Sequence, residues 1–261
     1  MKIPFQKYQA TANDFIIVDQ MKHSYLEQPE SKLISRLCDR RLGVGADGLM
    51  LITPAKDADF RMIYYNSDGR ESTMCGNGGR AIAHMAYLLG YTGEQTTFEA
   101  IDGIHQARIV GSEVHLHMID VNGVSIYEQD YVVDTGSPHY VTWREGLRHL
   151  DISHLGASIR YSAAFEKEGI NVNFCEQRDE SVHVRTYERG VEGETHSCGT
   201  GVTAAALALS HQQQWKDGSH IVPIVTKGGK LKVSYDKVQD SYTNIWLSGP
   251  ATKVYEGVIE L

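Results

Sequence analysis

The chain's 261 residues carry 25 Lys and Arg against 33 Asp and Glu, a formal charge of −8 at pH 7. The acidic side chains are scattered rather than gathered in a tail, so neither a nucleic acid nor an anionic membrane is an expected partner. Four cysteines in so long a chain form no disulfide framework; with no long apolar run and no charged-then-apolar leader at Met1-Lys2-Ile3-Pro4, a protein of the reducing cytoplasm is expected.

The length allows one large or two medium domains. Residues 2–8 alternate weakly and Phe15-Ile16-Ile17-Val18 is apolar, which predicts two strands around a polar turn, Thr11-Ala12-Asn13-Asp14. The spacing of Leu33, Ile34, Leu37, Cys38 and Arg41 predicts a helix with Ser31 as its N-cap. Gly43-Val44-Gly45-Ala46-Asp47-Gly48 fits the pattern G-x-G-x-x-G, but dinucleotide binding needs a strand before it and a helix after it. Here a helix precedes it and Leu49-Met50-Leu51-Ile52 reads as a strand, so nucleotide binding is rejected. Residues 60–65 form a strand that ends in Asn66-Ser67-Asp68-Gly69. A helix over residues 80–89 stops at Gly90, and strands follow over 96–100, 104–110 and 113–119. His115 and His117 share one face of the last strand; with no third ligand they read as a solvated face, and no metal is expected.

Tyr131-Val132-Val133-Asp134 and Tyr140-Val141-Thr142-Trp143 are strands flanking a turn, Thr135-Gly136-Ser137-Pro138-His139, that carries an imidazole. Residues 145–159 are helical in pieces, residues 169–174 begin a strand rich in amides, and residues 181–187 alternate as a strand before Glu188-Arg189-Gly190. Strands over 221–226, 230–234 and 245–247 follow, and the tail from residue 252 is a strand that returns to the first half.

Two stretches match. Met74-Cys75-Gly76-Asn77-Gly78-Gly79-Arg80 and Ser197-Cys198-Gly199-Thr200-Gly201-Val202 each set a cysteine and glycines at the mouth of a small-residue helix. The two cysteines are 123 residues apart, and the glycine turns at Gly103 and Gly229 are 126 apart, so helix, strand, turn and strand repeat almost in step. At a helix start the first N–H groups lack partners and the macrodipole is positive, both of which favour thiolate. Glycines there let backbone N–H groups approach a carboxylate. Cys38 and Cys175 have no such flanks and read as small buried hydrophobes.

A pair of thiols suits the inversion of a carbon that bears hydrogen: a base on one face removes the proton and an acid on the other delivers one. Such a site must hold the substrate carboxylate, stabilise the charge growing on it and exclude water. No cofactor signature is present and none is expected.

Asn13-Asp14-Phe15, Asn66 before Asp68-Gly69, Cys75-Gly76-Asn77-Gly78, Pro138-His139, Glu188-Arg189-Gly190, Cys198-Gly199-Thr200-Gly201 and Gly249-Pro250-Ala251 stand in the order found in the diaminopimelate epimerase family, which the chain resembles over nearly its whole length. The resemblance implies an α+β fold of two pseudo-symmetric domains, each a curved, mostly antiparallel, roll-like sheet around a central helix, with the active site in the interdomain cleft. The expected domains are residues 1–119 joined by about 250–261, and residues 120–249. It implies an isomerase that interconverts LL- and meso-diaminopimelate in lysine and peptidoglycan-precursor biosynthesis, acts without a cofactor and forms a homodimer. Cys75 and Cys198 would be the proton donor and acceptor, with His139 and Glu188 modulating them. Gly76, Asn77, Gly199, Thr200 and Asn13 would hold the reacting carboxylate end. Asn66, Asn171 and Arg189 would bind the distal end, together with the positions of Gly48 and Ser137, and Glu188 would also contact the substrate. The family usually has glutamine where Gly48 stands and asparagine where Ser137 stands, and the loop from Glu188 to Cys198 is one residue longer than in many relatives. A related two-cysteine racemase acting on another amino acid is therefore the alternative.

Overall fold

The computed structural model describes residues 2–261. The chain divides into two compact units: residues up to Leu116 together with Gly249–Leu261, and His117–Ser248. In the first, β1 (Lys2–Ala10) and β2 (Asn13–Asp19) form an antiparallel hairpin, and α1 (Ser31–Cys38) crosses to β3 (Gly48–Thr53), which lies parallel to β2. β4 (Phe60–Asn66) is antiparallel to β3 and carries the short β5 (Glu71–Ser72). α2 (Gly76–Leu88) crosses to β6 (Gln95–Ala100), parallel to β4, and β7 (Gly103–Val110) and β8 (Glu113–His117) follow antiparallel.

The second unit runs through the same order. β9 (Ser125–Tyr127), β10 (Asp130–Asp134) and β11 (Pro138–Trp143) are antiparallel neighbours. A 3-10 turn at Leu147–His149 and α3 (Ile152–Arg160) cross to β12 (Asn171–Arg178), parallel to β11. β13 (Ser181–Glu188) is antiparallel to β12 and carries β14 (Gly193–Thr195). α4 (Gly199–Gln212) crosses to β15 (Gly218–Thr226), parallel to β13, before β16 (Gly229–Val238) and β17 (Ser241–Pro250). The last strand, β18 (Thr252–Glu260), joins the first unit antiparallel to β1, with Lys2 opposite Glu260 and Gln9 opposite Thr252.

The fold is thus α+β and mostly antiparallel, and each parallel pair is bridged by a helix because only a long crossover can bring the chain back in the same direction. α2 and α4 are the central helices. Residues Gly76 to Ala86 are all buried, as is α4 from Gly201 to Ser210. Each is enclosed by strands of its own unit, so the Gly and Ala residues of both helices and the polar Asn77, Arg80 and His84 of α2 are all buried. α1 and α3 are amphipathic and lie over separate apolar clusters, one holding Ile34, Leu37 and Leu49 and the other Ile152, Val172 and Phe174. No helix among the described residues is long and apolar enough to cross a membrane.

Several local expectations need correction. α2 begins at Gly76, four residues earlier than propensity suggests, because packing overrides glycine's cost: a Cβ on Gly79 would come within 3.0 Å of Met74 Sδ. The first turn is only Thr11-Ala12, both at positive φ (48° and 62°), and Asn13 and Asp14 already belong to β2. Ser31 is the first helical residue rather than the cap, which is Glu30 without a side-chain bond. His139 lies on β11, not in the turn before it. β8 ends at His117, whose partly exposed ring packs edge-on against Trp246 at 4.8 Å. Among the described residues, no three metal-ligating side chains cluster.

Candidate active site

Cys75 is the N-cap of α2 and Cys198 the N-cap of α4, both with extended backbone (φ −101°, ψ 133° and φ −111°, ψ 115°). The carbonyl of each accepts the first helical bond, from Gly79 N–H at 2.7 Å and Val202 N–H at 3.0 Å. The N–H groups that follow each cysteine are those without an intrahelical acceptor. Cys75 is half-buried and Cys198 is buried.

Around Cys75 the side chains of the first unit interlock. Asn13 Oδ1 lies 3.6 Å from Cys75 Sγ and accepts from Asn77 Nδ2 at 3.2 Å. Its amide is oriented from the other end, because Nδ2 donates to Asp47 Oδ2 at 2.7 Å and a carboxylate only accepts. Asp47 belongs to a charged cluster: Arg40 bridges Asp47 at 2.8 Å and Asp14 at 2.6 Å, and Lys7 meets Asp14 at 2.8 Å and donates to Gly45 O. A register shift between Lys7 and Tyr8 in the β1–β18 ladder turns both residues inward, which puts the lysine there. Burial alone would raise Asp14, but the hydrogen bonds and charges of Arg40 and Lys7 win and hold it at about 2. Gly48 and Asn66 are cross-strand partners at the ends of β3 and β4.

The second unit builds its helix start differently. Asn171 and Asn173, two apart on β12, share one strand face. Asn173 Nδ2 donates to Tyr140 O at 3.1 Å and lies 3.0 Å from His139 Nδ1, while its Oδ1 accepts from Thr186 at 2.9 Å. The amide is therefore fixed with its N–H facing His139, whose Nδ1 accepts and whose Nε2–H donates to Ser137 Oγ at 3.0 Å. Ser137 also accepts from Asn171 Nδ2 at 3.3 Å and donates to Thr200 Oγ1 at 3.4 Å, which lies 3.5 Å from Cys198 Sγ. His139 is fully buried, and burial first, with the charge of Arg189 adding to it, pushes it down to about 3. The imidazole is neutral. Arg189 donates its backbone N–H to Asn171 Oδ1 at 2.9 Å and its guanidinium to Glu168 O at 3.0 Å. Glu188 Oε1 accepts from Thr195 Oγ1.

The structure thus brings Asn13, Cys75 and Asn77 together in one unit and Ser137, His139, Asn171, Thr200 and Cys198 together in the other. Asp47, Arg80 and Asn173 join them without having been expected. The signal for Asn173 was the two-residue spacing from Asn171. Asp47 was hidden in the rejected G-x-G-x-x-G stretch. Cys38 and Cys175 stand apart: burial pushes the Cys38 thiol to about 12 and raises Cys175 as well, so neither titrates near neutral pH.

The fold is that of the racemase, epimerase and phenazine-biosynthesis class. A phenazine biosynthesis protein of the PhzF family from Bacillus anthracis matches with a TM-score of 0.78 over all of both chains at 16% identity. A hydroxyproline epimerase from Agrobacterium vitis matches with a TM-score of 0.71 over 100% of this chain and 93% of its own, at 14% identity. Within that class the sequence is specific. The profile of the diaminopimelate epimerase family matches residues 5–119 and 131–254. A diaminopimelate epimerase from Flavobacterium psychrophilum is 46% identical over 97% of this chain and 98% of its own, and one from Chlorobaculum tepidum is 40% identical over 95% and 98%. The chain belongs to the diaminopimelate epimerase family.

Proposed function

We infer that the protein interconverts LL- and meso-2,6-diaminopimelate, a step toward lysine and the peptidoglycan precursor, with Cys75 and Cys198 as its two proton carriers. The observation that carries this reading is the N-cap cysteine on the central helix of each unit, in a chain whose two halves both match the family. One cysteine, as thiolate, takes the α-proton, and the C–H electron pair passes into the adjoining carboxylate. The other, as thiol, gives its proton to the opposite face of the carbon, and the pair returns as the new C–H bond. The enzyme is left with the two protonation states exchanged, and proton exchange with solvent resets it.

The carboxylate's growing charge falls on the N–H groups of Gly76, Asn77, Gly199 and Thr200 at the starts of the two helices. Asn13 assists at the same end. Asn66, Asn171 and Arg189 hold the distal amino acid beside Gly48 and Ser137, with Arg189 forking its carboxylate; Glu188 contacts the substrate nearer the thiols. His139 acts as a neutral imidazole through Ser137 and Thr200, and Glu188 is the second modulator. The same reading carries a cytosolic homodimer, as the family resemblance implies; light scattering on the purified protein measures its mass.

Incubation with LL-diaminopimelate in deuterated water tests the assignment. The meso isomer should appear with deuterium at the inverted carbon, and Cys75→Ala or Cys198→Ala should each lower turnover by about 10²- to 10⁴-fold. Wild-type protein that yields neither exchange nor meso product would end the substrate assignment; full turnover in either variant would end the two-thiol mechanism.

A further inference from the structure

Arg80 lies on α2 five residues past Cys75 and is wholly buried. Its guanidinium donates to Gly76 O at 3.2 Å, to Asn77 Oδ1 at 2.9 Å and to Thr11 Oγ1 at 3.1 Å, and its Nε meets no acceptor. None of these partners is charged. A buried cation served only by neutral groups carries a desolvation cost of roughly several kcal/mol, and a chain retains one where the charge is used. The corresponding residue of the second unit, five past Cys198, is Thr203, whose hydroxyl donates to Gly199 O at 3.0 Å. The first helical carbonyl is thus capped in both units, by a cation in one and by a neutral hydroxyl in the other. Thr11 adds a second sign of use: it is β-branched and held at φ 48°, a strained conformation that its bonds to Arg80 and Asn77 keep in place.

We propose that Arg80 is a positioning residue for Cys75: its guanidinium clamps Asn77 and the Thr11 turn against the helix start and supplies the positive charge that holds Cys75 as the thiolate, making it the more acidic of the two cysteines.

The other groups around this helix start do not cancel that charge. On the β1–β2 side, Lys7 and Arg40 balance Asp14 and Asp47 one for one, and Asp47 reaches Cys75 only through the Asn13 amide. From the β6–β7 turn, Asp102 accepts from the backbone N–H of Met74 at 3.2 Å, with His105 Nε2 3.3 Å away, and is the one carboxylate here, among the described residues, without a Lys or Arg partner. His84, one turn beyond Arg80, packs edge-on against Tyr8; burial lowers the imidazole and raises the phenol, so both are neutral. Cys75 Sγ–H donates to Asn13 Oδ1 at 3.6 Å, a long bond to a neutral acceptor that favours the thiol and that the guanidinium's charge opposes. Burial pulls Arg80 down to about 10, and a negative Cys75 acts on it in the opposite sense, so cation and thiolate stabilise one another.

The inference rests on Cys75 being a proton carrier, yet its test needs no turnover, so a wrong substrate assignment would leave it standing. Alkylation of each cysteine by iodoacetamide is followed across pH by peptide mass spectrometry. In the wild-type protein the midpoint for Cys75 should lie below that for Cys198. Arg80→Gln should raise the Cys75 midpoint by about one pH unit or more and leave that of Cys198 nearly unmoved, and Arg80→Lys, which keeps the charge, should restore the low value. Equal midpoints in the wild type overturn the proposal without any variant, as does a Cys75 midpoint unchanged in Arg80→Gln. Should Arg80→Gln fail to fold, the wild type and Arg80→Lys still decide it.

Discussion

The helix starts at Cys75 and Cys198 share backbone geometry, flanking glycines and place in the topology, yet the side chains behind them differ in kind. Behind Cys75 stand a buried guanidinium and the charged cluster of Lys7, Asp14, Arg40 and Asp47. Behind Cys198 stand Thr203, the unprotonated His139, Ser137 and two asparagines, with the charge of Arg189 reaching His139 from beyond them. A repeated backbone device can therefore be supported by opposite electrostatic means. In the proposed mechanism either sulfur can start as the thiolate, and unequal support sets which one does at rest.

The contrast can be broken first at its charged side. Asp14→Asn leaves the buried Lys7 without its carboxylate and should cost about 3 kcal/mol of stability in urea denaturation, against little for a comparable change at an exposed pair. A loss below about 1 kcal/mol would mean that the cluster does not hold the Asn13 side of the site. The glycines give a smaller effect. A Cβ on Gly201 would lie 2.3 Å from Asn173 Oδ1, whereas on Gly78 it would meet the movable Met50 Sδ at 3.3 Å. Gly201→Ala should cost about 2 kcal/mol, and Gly78→Ala less than about 1, by thermal or urea melts. Equal costs would show the two helix starts to be packed alike after all.

The neutral side is sharpened by pH. His139 has a folded value of about 3 against an ordinary 6.5, so below 6.5 the unfolded chain binds a proton that the folded chain refuses, and stability falls as pH drops. The loss should reach roughly 1.4 kcal/mol one pH unit below 6.5, and His139→Gln should flatten that part of the stability curve. An unaltered curve in the variant would place the acid sensitivity elsewhere.

Much of this was legible in the sequence, for reasons that vary by element. The strand β13 announces itself by alternation, and the cysteine stretches by repetition. The first turn of α2 was not legible, because Gly76, Gly78 and Gly79 argue against helix on propensity and only the surrounding Met, Phe and Leu side chains overrule them. Nor was the support behind the thiols. Lys7 lies inward only because the ladder slips by a residue, and Arg80 looks like an ordinary helix residue until the strands that enclose it are known. The amides on β12 were half visible: their two-residue spacing fixes a shared face, but nothing in sequence says that the face carries His139.

The pairing of β18 with β1 bears on how the molecule is made. Its two strands lie some 240 residues apart in the chain, so β1 is made long before its neighbour. The second unit is contiguous in sequence and can close as soon as it emerges; the first must wait with a bare sheet edge, whose unpaired N–H and C=O groups invite wrong partners. The first unit is thus begun before the second and sealed after it.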